Sequence, residues 1–348
     1  SVPAPWCVNE EAKKLLDLKV IHGYTSAPGA IHVRQSITAY IKKTFGADIP
    51  AANIYMTTGA AAALCICFRA LTVSGDEFIA FAPYFPEYQV FVEASGGKFV
   101  VVPPEEKNLQ INFEAFEKAL TPCTKAVIVN SPNNPSGVVI TEENIIRLCA
   151  LLKKKSAEYG HRIFLISDEP YRELVYGDVF VPYLPNYYDN TLVCYSFSKS
   201  LSLPGERIGY IAVSDKIENS SDVFAAVSGA GRALGYVCAP SLFQHVIANC
   251  LGQTGDLSIY KRNRDLLYEG LTKLGFDCVK PDGAFYLFMK SPEESAEAFC
   301  EKAKKYDLLL VPGADFGCPN FVRIAYCVDT DLIERSMPSF AKLIAEYK

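Results

Sequence analysis

Between about residue 53 and residue 213, short apolar runs alternate with longer amphipathic stretches, and this alternation confines the chain to helices packed on a largely parallel sheet. The runs are NIYMT (53–57), EFIAFA (77–82), KFVVV (98–102), KAVIV (125–129), RIFLIS (162–167), TLVCYSF (191–197) and RIGYIAV (207–213). A strand covered on both faces needs such an unbroken apolar stretch, whereas a strand with one wet face alternates. Spacing of 3.6 residues predicts helices near 30–45, 59–71, 141–159 and 256–274. Most of the strand runs lead into a cluster rich in Gly, Pro, Ser or Asn. Ligands of open α/β sheets gather beyond the carboxyl ends of the strands, so functional residues are sought there.

A chain of 348 residues is long for one apolar core, which predicts a large domain and a smaller companion. The character changes near residue 256, where a long charged helix leads into the strand-like segments FYLFM and FVRIAY and then a closing helix. The expected organisation is a large domain over 20–255 and a smaller α+β domain formed by 1–19 and 256–348. Within the latter, Ser291, Pro292 and Glu294 read as a capping box that opens a helix. The fold class expected is α/β, a mostly parallel sheet sandwiched by helices with a smaller α+β domain.

The formal charge of −5, with acids and bases interspersed, offers no broad cationic face for a phosphate backbone, so no nucleic-acid partner is expected. Twelve cysteines sit mostly in apolar runs such as ALCICF, as small buried hydrophobes. No C-x-x-C pair occurs, and His22, His32, His161 and His245 lack ligand spacing, so no metal is expected. No apolar stretch is of bilayer-spanning length. A reducing, cytoplasmic location is expected. The opening Ser1-Val2-Pro3-Ala4-Pro5 reads as the interior of a loop, with a short leading segment expected before it.

Four segments carry chemistry. TTGAAAAL (57–64) is a strand end, a glycine and a helix start, whose free amides at Ala60 and Ala61 would face an anion; an ordinary helix start explains it equally well. NSPNNPSG (130–137) fixes a rigid loop at a strand end, with Asn134 able to donate to a ligand. SDEPY (167–171) sets Asp168 at the end of an apolar strand, where a carboxylate needs a cation. YSFSKSLSLPGERIGY (195–210) places Lys199 beyond another strand, with Ser196, Ser198 and Arg207 as donors suited to a phosphate monoester.

In this order and at these spacings, with RIAY following late in the chain, the segments resemble the class I/II aminotransferases, fold-type I enzymes that use pyridoxal 5'-phosphate. The resemblance covers nearly the whole chain. It implies that Lys199 holds the cofactor as a Schiff base and then shuttles the substrate's α-proton. Asp168 would pair with the ring nitrogen; at about 4 Å and an effective dielectric of about 20 this is worth about 4 kcal/mol. Asn134 and Tyr171 would donate to the cofactor's 3'-oxygen, Asn134 also facing substrate, while Phe85, which closes APYF, would stack on the ring. The phosphate would be held by the amides of Gly59, Ala60 and Ala61, by Ser196, Ser198 and Arg207, and by Tyr24 from a second copy of the chain. That last role implies a homodimer; it rests on HGYTSAPGAIHVRQSI (22–37). Arg323 would grip the substrate's α-carboxylate. Ala60 and Ala61 depart from the family's usual hydroxyl or amide side chains, so backbone donors must suffice.

The implied reaction is ping-pong transamination between an amino acid and a 2-oxo acid. Aspartate and 2-oxoglutarate are the first substrates expected, with Arg232 in GAGRALGY as an optional grip for a side-chain carboxylate and a surface role as its ordinary reading. Two alternatives remain: a β-lyase or racemase that uses the same residues, and a cofactor-binding sensor without turnover. A nicotinamide enzyme is set aside because no G-x-G-x-x-G follows a strand.

Overall fold

A computed structural model describes residues 2–18 and 20–347. Seven strands form the main sheet: β1 (Ile54–Thr57), β2 (Glu77–Phe81), β3 (Lys98–Val102), β4 (Thr124–Asn130), β5 (Phe164–Asp168), β6 (Thr191–Ser196) and β7 (Gly209–Val213). Their order is β1-β7-β6-β5-β4-β2-β3. All pairings are parallel except those of β7, which runs antiparallel to both neighbours. A second sheet, β8 (Tyr286–Lys290), β9 (Val311–Pro312) and β10 (Phe321–Ala325), is antiparallel with β10 central.

The helices are α1 (Trp6–Leu16), α2 (Ile31–Phe45), α3 (Ala60–Leu71), α4 (Glu87–Ala94), α5 (Phe113–Ala119), α6 (Glu142–Tyr159), α7 (Phe197–Ser200), α8 (Ser220–Ala233), α9 (Ser241–Ala248), α10 (Leu257–Leu274), α11 (Ala296–Ala303) and α12 (Thr330–Ala345). The four helices expected from periodicity are α2, α3, α6 and α10. α4, α5, α7, α9 and α11 have eight residues or fewer, too few turns for a 3.6-residue period to stand out. α10 begins at Asp256, whose side chain accepts from Ser258 N, and ends at Gly275 in the left-handed region. No described helix is long and apolar enough to cross a membrane.

Several strand boundaries shift by one or two residues from expectation, and two differences have a local cause. RIGYIAV enters its strand only at Gly209, because Arg207 turns with φ +51. The expected capping box at Ser291 does not open a helix: α11 starts after Ser295, whose side chain accepts from Ala298 N at 3.1 Å. Ser291 Oγ instead accepts from Glu293 N within a preceding turn. Ser295→Ala should therefore lower stability by about 1 kcal/mol, measurable by urea unfolding.

The sheets pack through their alternating faces. Leu287, Met289 and Val322 point to a core shared with α10, α11 and α12, while Phe288 and Phe321 point to the core of the main sheet. The same face of β10 carries Arg323, which pairs across the strands with Phe288. In this way the second sheet turns an arginine towards the first. In the leading segment, Val2 joins the core of the second sheet, whereas Val8 of α1 packs in the core that holds Ile247 of α9 and Val193 of β6. Of the expected 1–19 portion, Ser1 and Lys19 lie outside the described residues.

Candidate active site

The carboxyl ends of β1, β4, β5 and β6 and the start of β7 share one edge of the main sheet. Register fixes what meets there: Thr57 and Ser196 both face Gly209, and Asn130 faces Asp168. Over this edge lies a cleft of about 430 Å³, lined by Ala60, Ala61, Phe85, Asn134, Asp168, Tyr171, Ser196, Ser198, Lys199, Arg207 and Arg323. Eleven of the thirteen site residues named from sequence thus line one cavity. Gly59 lies beneath Arg207 at its edge. Tyr24 does not line it; its side chain is 98 % exposed beside a separate cleft formed with Arg34 and His245.

One end is built for an anion. No side chain caps α3, so the amides of its first turn are open at the positive end of the helix. Gly59 has φ +93, and a Cβ there would stand 2.8 Å from Arg207 Nη2, so only glycine lets the guanidinium lie across the helix start. Arg207 is held by Pro204 O at 2.9 Å and Ser198 Oγ at 3.3 Å, and Ser198 Oγ lies 2.7 Å from Ser196 Oγ. Two hydroxyls, a guanidinium and helix amides converge there.

At the other end stands Asp168, 4 % exposed at the tip of β5. Its Oδ2 accepts from Tyr88 OH at 2.5 Å and from Asn130 Nδ2 at 3.3 Å, while Oδ1 is buried without a partner. Burial lifts its pKa to about 7, partly opposed by the Tyr88 hydrogen bond and reinforced by the charge of Glu169. Such an oxygen in a cleft is complementary to a cationic N–H. Neighbouring Glu169 is not available for this, since it ion-pairs with buried Arg172.

Lys199 lies on α7, one short turn after β6. Its Nζ stands 5.2 Å from the Phe285 ring centre and 5.8 Å from that of Tyr171, with no acidic partner. Burial lowers its ammonium pKa, Cys327 partly opposing this and the nearby Arg207 charge adding to it. Desolvation of this kind raises the neutral fraction and hence the nucleophilicity of the amine.

Arg323 comes from the second sheet. Its guanidinium is 4.8 Å from the ring centres of both Tyr286 and Phe316, one Nη donates to Asn134 Oδ1 at 3.2 Å, and Nε is buried without a partner. A planar cation with spare donors and, among the described residues, no ion pair is poised for an anionic ligand. Asn134 is fixed in turn by its amide, which donates to Asn130 Oδ1 at 2.7 Å. Tyr171 is buried, its hydroxyl 3.2 Å from that of Tyr286. Phe85 packs edge-on against Tyr88.

Sequence reasoning missed Tyr88, Asn130 and Tyr286. Asn130 stood in the quoted segment, four residues before Asn134, and strand alternation would have aimed it at the same edge as Asp168. Tyr88 and Tyr286 carried no signal apart from their aromatic type, which apolar packing explains equally well. Arg232 is exposed on α8 and does not line the cleft.

Comparison with known proteins places this arrangement. The family model for aminotransferase class I and II matches residues 3–339. Aspartate aminotransferase of Thermotoga maritima is 32% identical over 341 residues, covering 96% of this chain and 86% of the relative. A probable N-acetyl-LL-diaminopimelate aminotransferase of Bacillus subtilis is 31% identical over 345 residues, covering 96% and 84%. Among solved structures, an amino transferase from Eubacterium rectale superposes with a TM-score of 0.99 at 56% identity, over 100% of this chain and 88% of that one. The structure of Thermotoga maritima aspartate aminotransferase gives a TM-score of 0.88 at 32% identity, over 99% and 89%. The chain belongs to the class I and II aminotransferase family and has its fold-type I architecture.

Proposed function

We propose that this aminotransferase works with pyridoxal 5'-phosphate held between the α3 amides and Asp168, and with Lys199 as the amine that bonds it. The observation that carries the reading is the buried, unpartnered Oδ1 of Asp168 in the cleft that Lys199 enters. A cationic ring nitrogen fits that oxygen, a phosphate fits the convergence of Ser196, Ser198, Arg207 and the helix start, and Lys199 supplies an amine for an aldehyde. When bound, the cofactor supplies a carbonyl for the amino nitrogen and a protonated ring that withdraws electrons from the substrate's α-carbon.

The chain's own residues do the rest. Asp168 keeps a proton on the group facing Oδ1. Tyr171 and Asn134 are the donors placed to orient a ring oxygen, and Phe85 to cover a ring face. Lys199 Nζ takes the proton from the substrate's α-carbon and returns it, which its desolvated amine suits. Arg323 holds the α-carboxylate and so aligns the carbon with Nζ. Residues 256–348, with the leading segment, are taken as the smaller domain that brings Arg323 over the substrate and excludes water.

Aspartate is the donor to test first, since several relatives bear that name, although Arg232 offers no cation to a second carboxylate within one chain. We take the working unit to be a homodimer, which would let Tyr24 reach the phosphate of the other copy; the exposure of Trp6, Val20 and Tyr24 supports a covered surface here. A cytoplasmic location is in keeping with the twelve unbridged cysteines.

The test is to mix the protein loaded with pyridoxal phosphate with single amino acids, without an acceptor. At least one is expected to discharge the visible band and yield its 2-oxo acid in one equivalent, and a second oxo acid should restore the band. No change with any amino acid would overturn the reading, as would repeated release of ammonia. Arg323→Lys should lower kcat/KM about 10- to 100-fold, mainly through KM, because a charge-assisted pair is worth about 1.5–3 kcal/mol. A change in thermal stability alone would remove the carboxylate role.

A further inference from the structure

We propose that Tyr286 is a positioning residue for two functional side chains at once, its ring fixing the Arg323 guanidinium and its hydroxyl directing the Tyr171 proton into the cleft. This rests on the reading above, in which Lys199 holds the cofactor, Tyr171 donates to it and Arg323 binds the substrate carboxylate.

The placement follows from the second sheet. Phe288 pairs across the strands with Arg323, so Tyr286, two residues earlier on β8, shares its face and stands diagonal to it. The guanidinium carbon lies over both the Tyr286 and the Phe316 ring, 4.8 Å from each centre. Between two aromatic rings an arginine is held by its π faces, which leaves its N–H edges for a ligand. Among the described residues no acidic side chain pairs with Arg323, so the rings do the orienting that a structural ion pair would otherwise do at the expense of the free donors.

The hydroxyl serves the second partner. Tyr286 OH is 3.2 Å from Tyr171 OH, and Tyr171 lies against Lys199. Each hydroxyl has one proton to give. Once Tyr171 gives its proton to a ligand oxygen, the contact between the two tyrosines survives only with Tyr286 as donor, and that bond polarises Tyr171 into a stronger donor. The geometry is clamped from behind. Asp282 N and Gly283 N donate to Gly137 O at 2.9 and 2.8 Å, and a Cβ on Gly137 would stand 2.6 Å from Tyr286 O. The loop that carries Asn134 is thereby tied by hydrogen bonds to the turn that leads into β8 and Tyr286.

Two variants separate the roles. Tyr286→Phe keeps the ring and loses the hydroxyl, so the pH midpoint of the visible band should rise by about half a unit. Its affinity for amino acids should stay within about 2-fold of wild type. Tyr286→Leu should show the same rise and also bind amino acids about 10-fold more weakly, read by titration of the band. In a Tyr171→Phe background, Tyr286→Phe should add no further shift of the midpoint. An unmoved midpoint in Tyr286→Phe, an additive shift in the double variant, or equal loss of amino-acid affinity in Phe and Leu variants would overturn the inference while leaving the function intact. A wild-type protein with no visible band after incubation with pyridoxal phosphate would overturn both.

Discussion

Replacing Lys199 with alanine is expected to lower steady-state transamination by at least about four orders of magnitude, because in the proposed mechanism one side chain provides both the covalent hold and the general acid–base group. The fold should survive. Among the described residues Lys199 makes no ion pair, and its ammonium lies over the rings of Phe285 and Tyr171, so its loss leaves no charged partner behind. Circular dichroism and thermal unfolding should match wild type, and the phosphate end of the cleft, which does not depend on Lys199, should still take up the cofactor without covalent attachment. An amine added in solution should restore part of the proton transfer. Steady-state turnover retained in the alanine variant would remove the mechanism.

The second large effect concerns Asp168→Asn, and it has opposite signs for catalysis and for stability. An ion pair at about 4 Å and an effective dielectric of about 20 is worth about 4 kcal/mol, so its loss should cost about three orders of magnitude in kcat. In the cofactor-free protein the same carboxylate is a liability. Its folded pKa is raised to about 7 from 3.8, so the folded state binds more protons than the unfolded state between these values and stability falls as pH rises through that window. The asparagine variant keeps an acceptor for Tyr88 and carries no charge. Without cofactor it should therefore be more stable than wild type at pH 8, by the order of a few kcal/mol, with the advantage shrinking towards pH 4. Unfolding curves of both proteins at the two pH values measure it. Equal stability at pH 8 would mean that Asp168 is satisfied in some other way.

Much of this was legible in the residues. Unbroken apolar runs marked the main strands because a sheet covered on both faces leaves no wet side to encode, and the turn residues after them marked the carboxyl edge. Asp168 and Lys199 could be found because each is a polar group within two residues of the end of such a run, where burial makes it anomalous, and Asn134 because it stands in the rigid loop that follows one. Arg323 was harder, since a strand arginine more often pairs with an acid; only the second sheet shows its guanidinium against the rings of Tyr286 and Phe316. Tyr286 and Tyr88 escaped notice because a tyrosine in an apolar segment packs well whether or not its hydroxyl has work to do. The start of α11 was misplaced for a local reason: Ser291 and Ser295 both precede helix-forming residues, and which of them caps depends on how β8 releases the chain. Tyr24 lies outside the cleft in a single chain, so its proposed role is one for the assembled protein.

The most direct measurement is chemical trapping. The protein is incubated with pyridoxal 5'-phosphate, reduced with borohydride and digested, and the phosphopyridoxyl label is located by mass spectrometry. A single label on the peptide that contains Lys199, absent when an amino-acid donor is added before reduction, is the expected result. A label on another lysine, or none, would contradict the assignment on which the account stands.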